Sequence, residues 1–263
     1  MTDYLAGLPE PRVAAWYRRL AEKIAQTRVA GQEPLAALFL RHYLDNRDPA
    51  STFRFQAPAY LCQSPFVTSV LPYHRAVFLT EQRARMPGGR EAWAGVLPRI
   101  QGLTGFSRWD LAASLEIHYE SLVEVGSGLL EIGRIQRSGT AEERDLLTSL
   151  RGFQLRSRVM VSGSRLPNGR VRITFVSWQC RISDRYDFDY NEHFTVPNPD
   201  FRSSLPDAEA VRKQDEYLTV YHTNARRLER AGLAAPYDVL SEEWRVQDVG
   251  VAGPGEVDPA RRL

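Results

Sequence analysis

The chain has 263 residues, 43% apolar and 25% charged, enough to bury a core and too apolar for a wholly disordered chain. A formal net charge of +2 excludes a bulk electrostatic pull toward nucleic acid, so no nucleic-acid partner is expected. No apolar run approaches the roughly 20 residues of a membrane helix. The opening MTDYLAGLPEPRV has neither a basic n-region nor an apolar h-region, which predicts a protein made in the cytoplasm without a cleavable secretory signal.

After a Pro-rich lead-in, Val13, Trp16, Leu20 and Ile24 recur at helical spacing and predict a helix over Arg12–Arg28, broken by Gly31. A second helix is expected from Pro34 through Leu35, Leu38, Phe39 and Tyr43, ending at Asn46–Pro49. The aromatics between Phe53 and Tyr73, set among Pro58, Pro65 and Pro72, read as core residues on short strands and tight turns. A short helix over Ala76–Arg85, a turn at Met86–Gly89 and a helix over Glu91–Leu103 interrupted at Pro98 follow. Ser107 is the expected N-cap of a long helical segment through Leu111, Leu115, Tyr119 and Leu122. On that helix Glu116, His118 and Glu120, two apart, share no face and make no metal site. Thr140-Ala-Glu-Glu143 matches a capping box opening a short helix.

Leu155–Ser162 and Arg170–Ile182 alternate apolar with polar, and Asn168-Gly169 between them is a hairpin signal. A loop punctuated by Pro197 and Pro199 follows, then a helix over Pro206–Ala231 capped by Ser204 and stopped by Gly232. The expected fold class is α+β. Residues 1–110 form a mainly helical region and 111–249 an α+β catalytic region with an antiparallel sheet or half-barrel and a late packed helix. Residues 250–263 form a mobile Gly/Pro-rich tail.

Lysine occurs only at Lys23 and Lys213 among 34 basic residues. The other basic residues are arginines, which a GC-rich coding sequence favours and whose planar forks also suit phosphate oxygens; composition alone does not separate the two. Cys62 and Cys180 form no metal motif or disulfide framework; one disulfide is open to them in an oxidising compartment, and two buried thiols are the expected state. Ser162-Gly-Ser164 and Val125-Gly-Ser-Gly128 lack the residues of a nucleophile elbow or phosphate loop. His42 and His222 read as surface or core-edge residues, and His74, in a loop, is a remote candidate to join a site.

Chemistry concentrates in Ser177–Thr195, SWQCRISDRYDFDYNEHFT. Asp184 and Asp187, three apart, offer two carboxylates to a hard dication such as Mg²⁺. His193 is a neutral-range acid or base. Tyr186 offers a hydroxyl, and Arg181, Arg185 and Arg202 offer guanidiniums to phosphate oxygens. Asp189, Tyr190 and Glu192 add polar groups to the same run. Metal-assisted cleavage at a phosphate ester or diphosphate fits this set, because in-line attack there depends on charge neutralisation.

The order Asp184-x-Tyr186-Asp187-(five residues)-His193, with Phe188 after the second Asp, resembles the catalytic signature of the colicin M family of bacteriocins. Where that family usually has Arg after the His, this chain has Phe194; Arg202 is the nearest arginine downstream. The resemblance implies a divalent-cation-dependent hydrolase that cleaves lipid II between its undecaprenyl lipid and the diphosphate, acting in the periplasm of a target bacterium. Asp184, Tyr186, Asp187 and His193 would be its catalytic residues, with Asp184 and Asp187 as metal ligands. The segment PLAALFLRHYLDN more loosely resembles uncharacterised proteobacterial proteins found near type VI secretion genes. That implies an antibacterial effector with a secretion-apparatus partner and a cognate immunity protein. Two other readings stay open: a non-enzymatic adaptor or immunity protein of a secretion system, and a phosphodiesterase of other specificity.

Overall fold

The computed structural model describes residues 5–72, 74–75, 113–125, 129–165, 168, 171–188, 193–200, 217–246 and 255–257. In chain order the elements are α1 (Glu10–Gln26), α2 (Leu35–Asp45), β1 (Thr52–Phe55), α3 (Ala59–Cys62), α4 (Pro65–Thr68), β2 (Ala113–Val125), α5 (Leu129–Ser138) and α6 (Ala141–Ser149). There follow β3 (Phe153–Arg165), β4 (Val171–Tyr186), β5 (His193–Pro197), β6 (Tyr217–Tyr221), α7 (His222–Arg230), β7 (Tyr237–Ser241), β8 (Trp244–Arg245) and β9 (Gly255–Val257). The chain is α+β, helical at its N-terminal end and strand-rich later, as its sequence predicts. The expected elements at 76–85, 86–89 and 91–103 lie outside the described residues.

Two compact units divide the chain. One comprises Met1–Phe53, Gly128–Arg151 and Asp184–Val239; the other comprises Arg54–Ser127, Gly152–Ser183 and Leu240–Leu263. The first unit is built on helices. Proline marks the start of α1 and α2, Pro9 and Pro34 standing at their N-caps, where the missing N–H costs nothing. Val13, Trp16, Tyr17, Leu20 and Ala21 form the buried stripe of α1, which packs on α2. Each large apolar side chain buried there contributes about 2 kcal/mol. After α1 the chain reverses through a turn closed by Val29 and Gln32. Gly31, at φ 78°, supplies the left-handed conformation that the turn needs.

Pro34 offers no side-chain cap to α2, and the cap comes from another helix. Asp145 on α6, 6% exposed, accepts from the backbone N–H groups of Leu35 and Ala36, each at 2.9 Å. A carboxylate at a helix N-terminus meets both the orphan donors and the positive end of the dipole. Asp145→Ala therefore lowers the unfolding free energy by about 3 kcal/mol, read from urea unfolding, and Asp145→Asn by less. The predicted capping box is present on α6 itself. Thr140 Oγ1 accepts from Glu143 N at 3.2 Å, and Glu143 Oε2 accepts from Thr140 N at 2.8 Å.

The second unit is a sheet with order β1-β7-β4-β3-β2, in which β1 and β7 take part through Arg54–Phe55 and Leu240–Ser241. β2 pairs antiparallel with β3 from Ala113↔Gly163 to Val125↔Phe153. β3 pairs with β4 from Gln154↔Ser183 to Arg165↔Val171, forming the predicted hairpin. Phe153, Leu155, Ser157, Trp178, Cys180 and Ile182 are buried, while Gln154, Arg156, Arg158, Gln179, Arg181 and Ser183 between them are only half-buried. One face of this ladder is core and the other polar, as period-2 alternation requires. β8 and β9 also pair with β4, so Gly255–Val257, in the tail expected to be mobile, is a strand against Val171–Ile173.

Several expected elements take another form. The segment through Leu115 and Tyr119 is strand β2, not a helix. Its apolar residues fit spacings of four and three, but Leu115, Ile117 and Tyr119 also alternate, and pairing with β3 decides between the two periods. The helical argument about Glu116, His118 and Glu120 therefore falls: in the register His118 stands opposite Arg158 and Glu120 opposite Arg156. The region after β1 forms helical turns α3 and α4, opened by Pro58 and Pro65, in place of further strands. Thr195 and Val196, expected in a loop, belong to β5. Leu218 and Tyr221, expected on a long helix, belong to β6, and among the described residues of that expected helix His222–Arg230 is helical.

His74 is buried, with Nδ1 2.5 Å from Ser157 Oγ, which lies 3.5 Å from Cys180 Sγ. Burial pushes the Cys62 thiol up to about 11 and the Cys180 thiol up to about 12. Neither is a thiolate at neutral pH, which makes both poor nucleophiles.

Candidate functional site

The candidate residues Asp184, Tyr186, Asp187 and His193 all belong to the first unit. β4 carries Asp184 and Tyr186 on its last turns of pleat, and the chain leaves the strand at Asp187. Two residues apart on a strand, Asp184 and Tyr186 stand on the same side of the backbone. Asp184 is half-buried and Asp187 is exposed.

Tyr186 anchors this end of the strand. Its ring stacks on Tyr237 at 5.4 Å between centroids and meets Phe39, Tyr43 and Phe188 edge-on at 5.9, 6.0 and 5.6 Å. Edge-to-face pairs of this kind add about 1 kcal/mol each beyond the area they bury. Burial raises the Tyr186 hydroxyl above its ordinary pKa, so it stays protonated and can donate a hydrogen bond. Tyr237 and Tyr43 are raised too, chiefly by burial; the charge of Asp184 adds to the shift at Tyr237 and that of Glu229 to the shift at Tyr43. Tyr237 donates to Phe39 O at 2.8 Å, and Tyr43 donates to Ala225 O at 3.0 Å and Glu229 Oε1 at 2.9 Å. The aromatic layer is thereby pinned to α2 and α7.

The arginines divide. Arg185 is held by Asp238 at 2.7 Å and by the carbonyl of Pro49 at 3.1 Å, a surface ion pair worth under about 1 kcal/mol. Arg181 belongs to the second unit, half-buried on β4 opposite Arg156. Arg202 lies outside the described residues, as do Asp189, Tyr190 and Glu192.

His193 opens β5 and is exposed. Its register partner is Tyr221 of β6, with the two rings 5.7 Å apart. The next residue, His222, opens α7 and meets the ring of Phe188 edge-on at 5.1 Å. Phe188, 7% exposed, also packs on Tyr43 at 5.0 Å. His222, read from sequence as peripheral, thus touches the segment that carries Asp187. The sequence signal was the alternation in Tyr217-Leu-Thr-Val-Tyr221, which fits a strand as well as a helix face.

Among the described residues no group of three or more His, Cys, Asp and Glu side chains forms a closed metal site. A catalytic Mg²⁺ asks for less: one or two carboxylates, with waters and substrate phosphate completing the shell. Asp184, half-buried, and Asp187, exposed, are carboxylates of the type such a donor set uses. No protein-family model, curated protein or solved structure matches the chain.

Proposed function

We propose that this protein is a divalent-metal-dependent hydrolase of the colicin M type, cleaving the undecaprenyl-diphosphate linkage of lipid II. The observation that carries the reading is the division of labour within Asp184–His193. Tyr186 and Phe188 pack in an aromatic layer, while Asp187 and His193 are exposed and Asp184 is half-buried. Asp184 and Asp187 would hold the Mg²⁺. When bound, that ion supplies charge neutralisation at the diphosphate. Asp184 also sets a negative charge beside the Tyr186–Tyr237 pair, and His193 would be the imidazole that takes or gives the proton. Tyr186 is the hydroxyl donor to a phosphate oxygen or to water. The substrate would be met at the outer face of a target cell's membrane, with delivery by a secretion machine and protection by an immunity protein. Among the described residues no helix is long and apolar enough to cross a membrane.

Incubation with lipid II and Mg²⁺, followed by extraction and chromatography, is expected to release undecaprenol, and a chelator to abolish the release. No undecaprenol at equimolar protein with Mg²⁺ present overturns the reading. It would then favour a non-enzymatic interaction protein of a secretion system, in which Tyr186 and Arg185 serve folding alone. Release of phosphate from a nucleotide or phospholipid instead would favour a phosphodiesterase of other specificity.

A further inference from the structure

The candidate motif is split across two pieces of backbone. Asp184 and Asp187 sit at the end of β4, while His193 sits on the β5–β6 hairpin. Four residues of chain separate Phe188 from His193, and catalysis needs side chains held to within a fraction of an ångström. Two consecutive residues span that break. Tyr221 stands opposite His193 in the β5–β6 register with its ring 5.7 Å from the imidazole. His222 meets Phe188, next in the chain to Asp187, at 5.1 Å with the rings at 90°.

Both residues rest on firm supports. Tyr221 ends a strand whose ladder runs from His193↔Tyr221 to Pro197↔Tyr217. His222 begins α7, which buries Asn224, Ala225 and Leu228 and is fastened at Ala225 and Glu229 by the Tyr43 hydroxyl. Tyr43 also packs on Phe188 and Tyr186. The same aromatic layer therefore holds the strand end from one side and the helix start from the other.

We propose that Tyr221 and His222 are positioning residues, a strand-to-helix joint that fixes His193 relative to the Asp184–Phe188 segment. The proposal rests on the hydrolase reading for its purpose, but the coupling itself is a property of the fold. His222 acts through Phe188, and Tyr221 acts on the imidazole of His193. A joint of this kind bears on the rate of the chemical step more than on binding, because it orders catalytic groups and leaves substrate contacts alone.

The test is carried out on the full chain with ¹³C-labelled histidine. The His193 imidazole resonance is assigned by its loss in His193→Gln, then compared in wild type, His222→Ala and His222→Phe. The expected result is a displaced or broadened His193 signal in His222→Ala, although residue 222 is not its register partner, and a signal returned toward wild type in His222→Phe, which keeps a ring edge on Phe188. In lipid II hydrolysis, kcat should fall roughly tenfold or more in His222→Ala with KM within about threefold, and recover in His222→Phe. An unchanged His193 signal in a folded His222→Ala protein overturns the proposal. So does a loss that the phenylalanine variant does not rescue. If wild type releases no undecaprenol, the hydrolase reading fails, and the resonance comparison still decides whether the joint exists.

Discussion

Asp184→Ala is expected to slow lipid II hydrolysis by a factor on the order of 10³ or more, equivalent to about 4 kcal/mol of lost transition-state stabilisation. Asp184 is half-buried beside Tyr186 and Tyr237, a setting in which a carboxylate's charge is screened less than in open water. In the proposed reading its removal takes away one of the two carboxylates that would hold the dication. The rings of Tyr186 and Phe188 still hold the strand end in this variant. Asp184→Asn should match the alanine variant in rate, since the amide keeps shape and loses charge. Tyr186→Phe separates the two tasks of that residue: the ring layer survives and any contribution of the hydroxyl disappears. Rates by undecaprenol release and stabilities by urea unfolding, measured on the same preparations, check the set. Equal rates in Asp184→Ala and wild type exclude a catalytic role for this carboxylate.

The legible parts of the chain were those fixed by neighbours in sequence. The stripe Val13–Trp16–Leu20 gives α1, Thr140 and Glu143 cap α6, and Asn168-Gly169 sits between the strands of a real hairpin. β2 was not legible, because Leu111, Leu115, Tyr119 and Leu122 fit a helical period while Leu115, Ile117 and Tyr119 fit a strand. Only β3, some 40 residues on, supplies the ladder that settles the matter. The same holds for β6, where Leu218 and Tyr221 belong to a strand because β5 pairs with it. The candidate site divides in the same way. Asp184, Tyr186, Asp187 and His193 were visible as spacing within one run. The ring layer of Phe39, Tyr43 and Tyr237, the ion pair of Arg185 with Asp238, and the approach of His222 to Phe188 join residues far apart in sequence. No local pattern encodes such contacts.

The second large effect concerns acid stability and belongs to His74. This side chain is fully buried, hydrogen-bonded through Nδ1 to Ser157, and its pKa is lowered by burial to about 4 from an ordinary value of 6.5. The unfolded chain takes up the proton near pH 6.5 and the folded chain only near pH 4. Between those values the unfolded state binds more protons, so stability rises with pH across the window and falls as pH drops through it. The stabilisation is fully present above about pH 6.5. By about pH 4 the loss from this one group reaches about 3 kcal/mol, a large share of a typical folding free energy. His42, whose pKa burial also lowers, and Glu143, lowered chiefly by its bond with Arg134, act in the same direction. The contribution of His74 must therefore be read as a difference. His74→Gln keeps a polar partner for Ser157 and cannot take up a proton. In urea unfolding between pH 4 and 7.5 it should be less stable than wild type at pH 7.5, where the native imidazole fits best. It should close that gap, or reverse it, at pH 4 to 4.5. Parallel stability curves for the two proteins across this range would show that protonation of His74 plays no part in acid unfolding.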